Sequence, residues 1–176
     1  MLFAEIFGRS FHDLPEGWQR FHHVSSTHQF EGFAEVKRGR GLFISLLAKL
    51  LDLPVADRVP VRLTLIKDGE GERWLRLFGS SELNTKLLPA KGEAPFALYE
   101  IYGPFRFCVE LHVKDETVEW TLINWWFLGV PLPKMVLPIS RTVETVDAQG
   151  RYCFDIDLEI PLFGRLIAYR GWLDPV

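Results

Sequence analysis

Alternating apolar and polar residues are the main pattern of this sequence, and they predict a protein built largely of β-strands. Residues 152–160 place Tyr, Phe, Ile, Leu and Ile at every second position, with Cys and acidic residues between them. This period is typical of a strand with one face in a core and the other in water. A turn at residues 161–164 would join it to the last strand, in a register that pairs Ile160 with Arg165, Ile156 with Tyr169 and Asp155 with Arg170.

The same alternation predicts a second hairpin in the middle of the chain. Residues 105–113 alternate throughout, and a turn at residues 115–116 gives chemically sensible cross-strand pairs: Leu111 with Trp120, Val109 with Leu122, and His112 with Glu119. Further strands are predicted at residues 28–37, 61–65, 72–78, 96–102 and 139–146. Residues 80–95 are polar and carry two prolines, so we predict an extended piece followed by a mobile loop there.

Two segments have helical rather than strand periodicity. A short N-terminal helix is predicted within residues 13–23, ending in partly exposed histidines. Residues 42–53 are apolar except for Ser45, Lys49 and Asp52, which form one narrow stripe, so we predict a helix buried against the sheet. Basic residues just before it leave open an alternative, a helix lying in the plane of a membrane surface.

These elements together predict a single domain over residues 1–176 with a mainly β (α+β) fold. We expect a curved antiparallel sheet or β-barrel of about eight to ten strands, with the short N-terminal helix and one buried apolar helix. Barrels of this size enclose one small ligand. The alternative is a helix-grip fold of the lipid-transfer type, which is disfavoured because no long helix follows the last predicted strand.

Composition narrows the classes of function. Of the 176 residues, 48% are hydrophobic and 14% aromatic, which excludes a disordered chain and indicates an interior lined by rings. The net charge of −3 argues against a nucleic-acid partner. No apolar run reaches the length of a transmembrane segment, and the first residues lack the features of a secretory signal. We therefore expect a cytoplasmic protein, in which Cys108 and Cys153 are free thiols; the alternative is a disulfide between them, which requires their strands to be neighbours.

Motifs that carry catalytic or metal chemistry are missing from the sequence. It has no glycine-rich phosphate loop, no G-x-S-x-G and no H-E-x-x-H. His22 and His23 are adjacent but have no carboxylate or thiolate cluster at ligand spacing. The acidic row at residues 155–159 is interpreted as the solvated face of a strand. We expect no catalytic residues, no metal and no cofactor, and we rank an enzymatic function below two binding functions.

Isolated polar residues on otherwise apolar faces are the most informative chemical feature. Arg76, Glu100, Asn124 and Arg141 each interrupt such a face, where an unpaired charge is costly. They must either pair with one another across a core or face a cavity and contact a ligand. With the neighbouring aromatic residues they form the predicted ligand-binding set: Trp74, Arg76, Glu100, Trp120, Asn124, Trp126, Arg141 and Tyr169.

Residues 125–138 form an apolar segment whose three prolines prevent a regular helix or a central strand. It is interpreted as a cap on the core, a lid over a cavity, or an interface for a partner. Our main hypothesis is that the protein binds a hydrophobic or lipid-like small molecule in a β-lined cavity whose mouth lies under this segment, without catalysis. The alternative is an interaction module that docks on a partner enzyme through the same segment.

Several blocks of the sequence resemble a known bacterial family, called domain of unknown function 4166: LPEGWQRFHH, GRGLFISLLAKLLDLP, GERWLRLFG, GPFRF and FGRLIAYRGWL. The resemblance runs over almost the whole chain. In that family the domain occurs alone or behind a dehydrogenase-like or epimerase-like module, which implies a partner enzyme of that kind. No catalytic residues carry over, and the matching motifs include Arg76, Arg106, Tyr169, Arg170, Gly171 and Trp172.

Overall fold

The computed structural model describes residues 1–54 and 57–176 and shows a closed antiparallel β-barrel of ten strands with one short additional strand. The predicted mainly β fold is therefore confirmed. The strands are β1 (Thr27–Arg38), β2 (Arg58–Asp68), β3 (Gly71–Phe78), β4 (Ser81–Pro89), β5 (Ala97–Tyr102), β6 (Phe105–Lys114), β7 (Thr117–Phe127), β8 (Val130–Pro131), β9 (Ile139–Val146), β10 (Tyr152–Ile160) and β11 (Gly164–Pro175).

The sheet closes because β6 pairs on both of its edges. The strand order is β6-β5-β4-β3-β2-β1-β11-β10-β9-β7, and pairing of β6 with β7 completes the barrel. The short β8 pairs only with the end of β7. Closure gives every barrel strand a hydrogen-bonded neighbour on each side, although β7 and β9 pair only over residues 118–120 and 142–144.

The hairpin of β10 and β11 has the predicted register over most of its length. Asp155 lies opposite Arg170, and Ile156 lies opposite Tyr169. An irregularity between Leu158 and Glu159 shifts the end of the hairpin, so that Arg165 faces Glu159 and not Ile160. The guanidinium of Arg170 binds Glu35 on β1 at 2.9 Å, while Arg165 binds Asp157 at 2.7 Å.

The hairpin of β6 and β7 also has its predicted pairs, up to a bulge near its open end. Val109 faces Leu122, but the next residue, Cys108, faces Asn124, so Ile123 is an extra residue on β7. A bulge of this kind reverses the side-chain alternation that follows it. Beyond the bulge, Trp125 turns into the barrel.

One end of the barrel is closed by the N-terminal residues. They form α1 (Leu2–Phe7), a 3₁₀ helix (Gly8–Asp13) and α2 (Glu16–His22). Phe21 stacks on Tyr152 with 3.5 Å between ring centroids. His22, predicted to be partly exposed, is fully buried, because its ring lies between Phe3 and Trp18. We refer to this as the closed end.

The helix α3 (Leu42–Leu50) lies at the opposite, open end and is buried on one side only. Ile44 and Ala48 face the core, whereas Leu42 is 93% and Leu50 is 78% exposed. The prediction of a buried apolar helix therefore holds for one face of α3. The hydroxyl of Tyr102 donates a 2.7 Å hydrogen bond to the carbonyl of Leu51 and holds the end of α3 against β5. No helix in the described residues is long and apolar enough to span a membrane.

Residues 80–95 contain the predicted extended piece, which is the barrel strand β4, followed by the predicted loop before β5. β4 pairs with β3 on one side and with β5 on the other. Its alternate residues Ser81, Leu83, Thr85 and Leu87 are buried. The small and polar members of this row concealed the strand period in the sequence.

Candidate functional site

The barrel encloses an apolar cavity of about 380 Å³ between α2 at the closed end and α3 at the open end. Its wall consists mainly of aliphatic and aromatic side chains from nearly every strand. Representative lining residues are Phe21, Leu47, Leu63, Trp74, Phe78, Tyr102, Phe107, Trp120, Leu122, Phe154, Ile156, Leu158 and Leu166. The inward face predicted for β10 lies on this wall.

Aromatic rings form a nearly parallel array on one side of the cavity. The rings of Phe105, Phe107 and Trp125 have centroids 6.0–6.3 Å apart, and their planes differ by 9–17°. Trp125 takes its place in this array only because the bulge at Ile123 turns it inward. Flat aromatic faces of this kind suit hydrocarbon chains or planar rings.

A polar group of three side chains interrupts the apolar wall. Arg76 on β3 donates a 3.1 Å hydrogen bond from Nη1 to the hydroxyl of Thr85. Its Nη2 lies 3.5 Å from Oε1 of Glu100, and its guanidinium lies 4.9 Å from the ring of Trp74. Because Arg76 and Glu100 have opposite charges, this group is formally neutral.

Tyr169 on β11 adds a hydroxyl to the cavity wall. Its ring packs against Phe78 and Phe154, with centroid distances of 5.1 and 6.0 Å. None of the hydrogen bonds among described residues involves this hydroxyl. Burial raises the pKa of Tyr169, so the group stays protonated and can both donate and accept a hydrogen bond.

Deeper in the barrel, the carboxylate of Glu144 accepts three hydrogen bonds. The donors are Nε1 of Trp18 at 2.8 Å, the hydroxyl of Tyr152, and the His22 ring through Nε2 at 3.0 Å. Burial, together with the adjacent Glu144 carboxylate, raises the pKa of Tyr152 well above its usual range. The phenol therefore remains a donor at neutral pH. Sequence analysis missed this cluster, whose only signal is that a buried Trp and Tyr need polar partners.

A second buried carboxylate, Glu72, lies beside the N-terminal helices. It is fully buried and accepts a 3.0 Å hydrogen bond from Nε1 of Trp74. Burial raises the pKa of Glu72, although the indole N–H and the nearby His22 oppose the shift. Ionisation of this group is therefore more costly in the folded protein than in the unfolded chain.

Glu72→Gln should reveal this cost in the pH dependence of unfolding. Because the folded-state pKa is raised, wild type is most stable relative to the variant below pH 4.5, the ordinary value for Glu72. That advantage should fall as pH rises through the folded-state pKa. Urea unfolding of both proteins between acid and neutral pH measures the difference. Glu5→Gln is the control of opposite sign, because a hydrogen bond from Lys91 lowers the pKa of Glu5. A pH-independent difference for Glu72→Gln would contradict this account.

Five of the eight residues predicted to bind a ligand line the cavity: Trp74, Arg76, Glu100, Trp120 and Tyr169. The other three, Asn124, Trp126 and Arg141, lie outside it, and this corrects their assignment to inward faces. Asn124 and Trp126 follow the bulge on β7, and the guanidinium of Arg106 lies 4.2 Å over the Trp126 ring.

Arg141 points outward because β9 turns its polar residues inward. Ser140, Thr142 and Glu144 line the cavity, whereas the side chain of Arg141 is 66% exposed and lies 3.5 Å from Glu159. The predicted neighbours of Arg141, Ile139 and Val143, do share its face. That face is simply the outer one.

The apolar segment 125–138 lies at the open end, beside α3. Trp125, Val136 and Pro138 line the cavity there. Nε1 of Trp125 donates a 3.2 Å hydrogen bond to the carbonyl of Pro133, which holds the middle of the segment against the end of β7. Within residues 1–54 and 57–176, no three His, Cys, Asp or Glu side chains are grouped to hold a metal, and Cys108 and Cys153 are free thiols.

Fold and site together define a closed ten-stranded antiparallel barrel with an apolar internal cavity that carries a small polar group. The family model described as Domain of unknown function (DUF4166) matches residues 14–173, and the chain belongs to this family. Neither the comparison with curated proteins nor the comparison with solved structures gave a match.

Proposed function

We propose that this protein binds a hydrophobic or lipid-like small molecule in the barrel cavity and does not act on it chemically. The observation that carries the proposal is the cavity itself. Its volume of about 380 Å³ and its apolar wall are typical of small-molecule sites. The few polar groups on the wall are those expected to orient a ligand.

The charges on the wall favour a ligand with an uncharged polar group. Arg76 is already neutralised by Glu100, and the Tyr169 hydroxyl is available to a ligand oxygen. A hydroxyl or carbonyl could bind at this point, whereas a carboxylate would meet Glu100 and Glu144. The proposed contacts are Trp74, Arg76, Glu100, Trp120 and Tyr169. Trp125, which lines the cavity, replaces Trp126 as a sixth proposed contact.

The arrangement of Glu144 supports a non-enzymatic role. Three of the four lone-pair sites of its carboxylate accept hydrogen bonds from Trp18, His22 and Tyr152, which hold it as a structural acceptor. A general base needs a lone pair directed at the substrate.

Binding of Nile red, an uncharged hydrophobic dye, and its displacement by a long-chain alcohol test the proposal. Wild type should bind the dye, and the fluorescence of the cavity tryptophans should change in parallel. Trp125→Ala should weaken binding roughly tenfold, because it removes one ring of the aromatic array.

The neighbouring Trp126→Ala is the matched control, since Trp126 lies on the outer surface over Cys108. It should bind the dye like wild type. If wild type binds no dye, or if both variants lose affinity equally, the cavity is not the binding site. Native mass spectrometry of the purified protein would show any ligand that remains bound.

The alternative, an accessory module for a dehydrogenase-like or epimerase-like enzyme, is supported by exposed apolar side chains at the open end, such as Met135 and Val130. This role would not depend on what occupies the cavity, and dye binding distinguishes the two proposals. For either function we propose a cytoplasmic location, with the two free thiols as support.

A further inference from the structure

The open end of the barrel carries a concentration of exposed apolar side chains. Six of them extend furthest into solvent and are called here the apolar rim: Leu42, Leu46, Leu50, Leu128, Met135 and Leu162, which are between 68% and 98% exposed. Patches of this kind mark surfaces that bind another body.

Three separate connections bring the rim together. Antiparallel pairing places the β1–β2, β7–β9 and β10–β11 connections at the same end of the barrel. The rings of Phe43 on α3 and Phe163 in the β10–β11 turn stack with 4.2 Å between centroids. The rim surrounds the cavity mouth, because Phe43, Val136 and Ile160 from the same three connections line the cavity.

The charge on these connections differs in sign from that of the whole protein. The connections themselves, residues 39–57, 128–138 and 161–163, contain three basic residues and two acidic ones, Asp52 and Asp57, so they carry +1 whereas the chain as a whole carries −3. Arg40, Lys49 and Lys134 are exposed and form no ion pair within the described residues. The rim therefore combines an apolar surface with a local excess of positive charge.

We propose that the apolar rim docks on the surface of a lipid bilayer that contains anionic lipids. Leucine and methionine side chains can enter the boundary between head groups and acyl chains, while lysine and arginine lie at the level of the phosphates. This inference goes beyond the proposed function, because docking requires no ligand in the cavity. In the docked orientation the cavity mouth faces the bilayer.

Charge also argues against a second copy of the chain as the occupant. A two-fold interface sets the same patch against itself, so Arg40, Lys49 and Lys134 of two copies would approach one another. Phospholipid head groups supply the opposite charge.

Co-sedimentation with vesicles tests the proposal on the full chain. Vesicles of phosphatidylcholine mixed with phosphatidylglycerol should bind wild type at least about tenfold more tightly than phosphatidylcholine alone, and salt should weaken this binding. The double variant Leu46→Asp, Leu50→Asp should lose it. Lys134→Gln, which removes one positive charge, should weaken it about fivefold.

Val113→Asp is the matched control, because Val113 is an exposed apolar residue near the closed end of the barrel. It should sediment like wild type. Equal vesicle binding by the double variant and wild type would overturn the proposal, as would a wild-type dimer that the double variant dissociates. Nile red binding measured without vesicles separates the two functions. The double variant should still bind the dye. If wild type binds vesicles but does not bind the dye, only the cavity proposal is refuted.

Discussion

Glu144→Ala should lower the free energy of unfolding by about 3–5 kcal/mol, the largest effect expected of a single polar residue in this protein. Glu144 is only 3% exposed and is the acceptor for Trp18, His22 and Tyr152. Removing it leaves three buried donors without a partner, and each unsatisfied group costs about 1–3 kcal/mol. Glu144→Gln should lose less, because the amide oxygen still accepts a hydrogen bond.

Urea unfolding measures this loss, and Glu93→Ala provides the matched control. Glu93 also accepts a hydrogen bond from a tyrosine, Tyr99 at 2.8 Å, but at an exposed position. The control should change stability by less than about 1 kcal/mol. Similar losses in the two variants would show that burial is not what makes the Glu144 cluster important.

Thr142→Trp should abolish ligand binding while leaving the barrel folded. Thr142 lines the cavity, so an indole at this position would occupy much of the space of about 380 Å³. We expect dye affinity to fall at least ~30-fold, about 2 kcal/mol. Because the new ring fills an existing space, cooperative thermal unfolding should persist with a change of about 1–3 kcal/mol at most.

Arg141→Trp is the control for this variant. It introduces the same side chain at the adjacent position of β9, which lies on the outer face of the barrel. It disrupts only the exposed contact of Arg141 with Glu159, for which about 0.2–1 kcal/mol is expected. Dye binding should match wild type. Undiminished binding by a folded Thr142→Trp protein would place the binding site elsewhere.

Sequence reasoning succeeded where partners are close along the chain. The β6–β7 and β10–β11 pairs follow from alternation and from the turn between the strands, and both are local properties. The five ligand candidates that line the cavity lie on regular parts of strands, where period-two alternation identifies the inward face.

Sequence reasoning failed where a single inserted residue or a partner distant in the sequence determines which way a side chain points. Ile123 reverses the alternation of β7, so Trp125 faces inward and Trp126 outward, and no residue type at that point signals a bulge. In β9 the row ending in Glu144 resembles a solvated face. Its inward orientation depends on Trp18, which is 126 residues away in the sequence.

The surface of α3 could not be predicted for a related reason. Its apolar residues extend around most of the helix, a pattern typical of burial on all sides. The barrel covers only the side that contains Ile44 and Ala48. Hydrophobicity identifies the apolar surface of a helix, but it does not show whether the barrel, a partner protein or a membrane covers that surface.

Because α1 and α2 fill the closed end of the barrel, there is a kinetic consequence for any molecule that occupies the cavity. With Trp18, Phe21 and His22 filling the closed end, the route that the described residues leave for both arrival and departure runs past α3 and residues 125–138. A side chain that narrows this route without touching the bound molecule must slow association and dissociation by the same factor. Residues at the cavity mouth would then determine the rates of ligand exchange. Residues of the cavity wall would determine the equilibrium affinity.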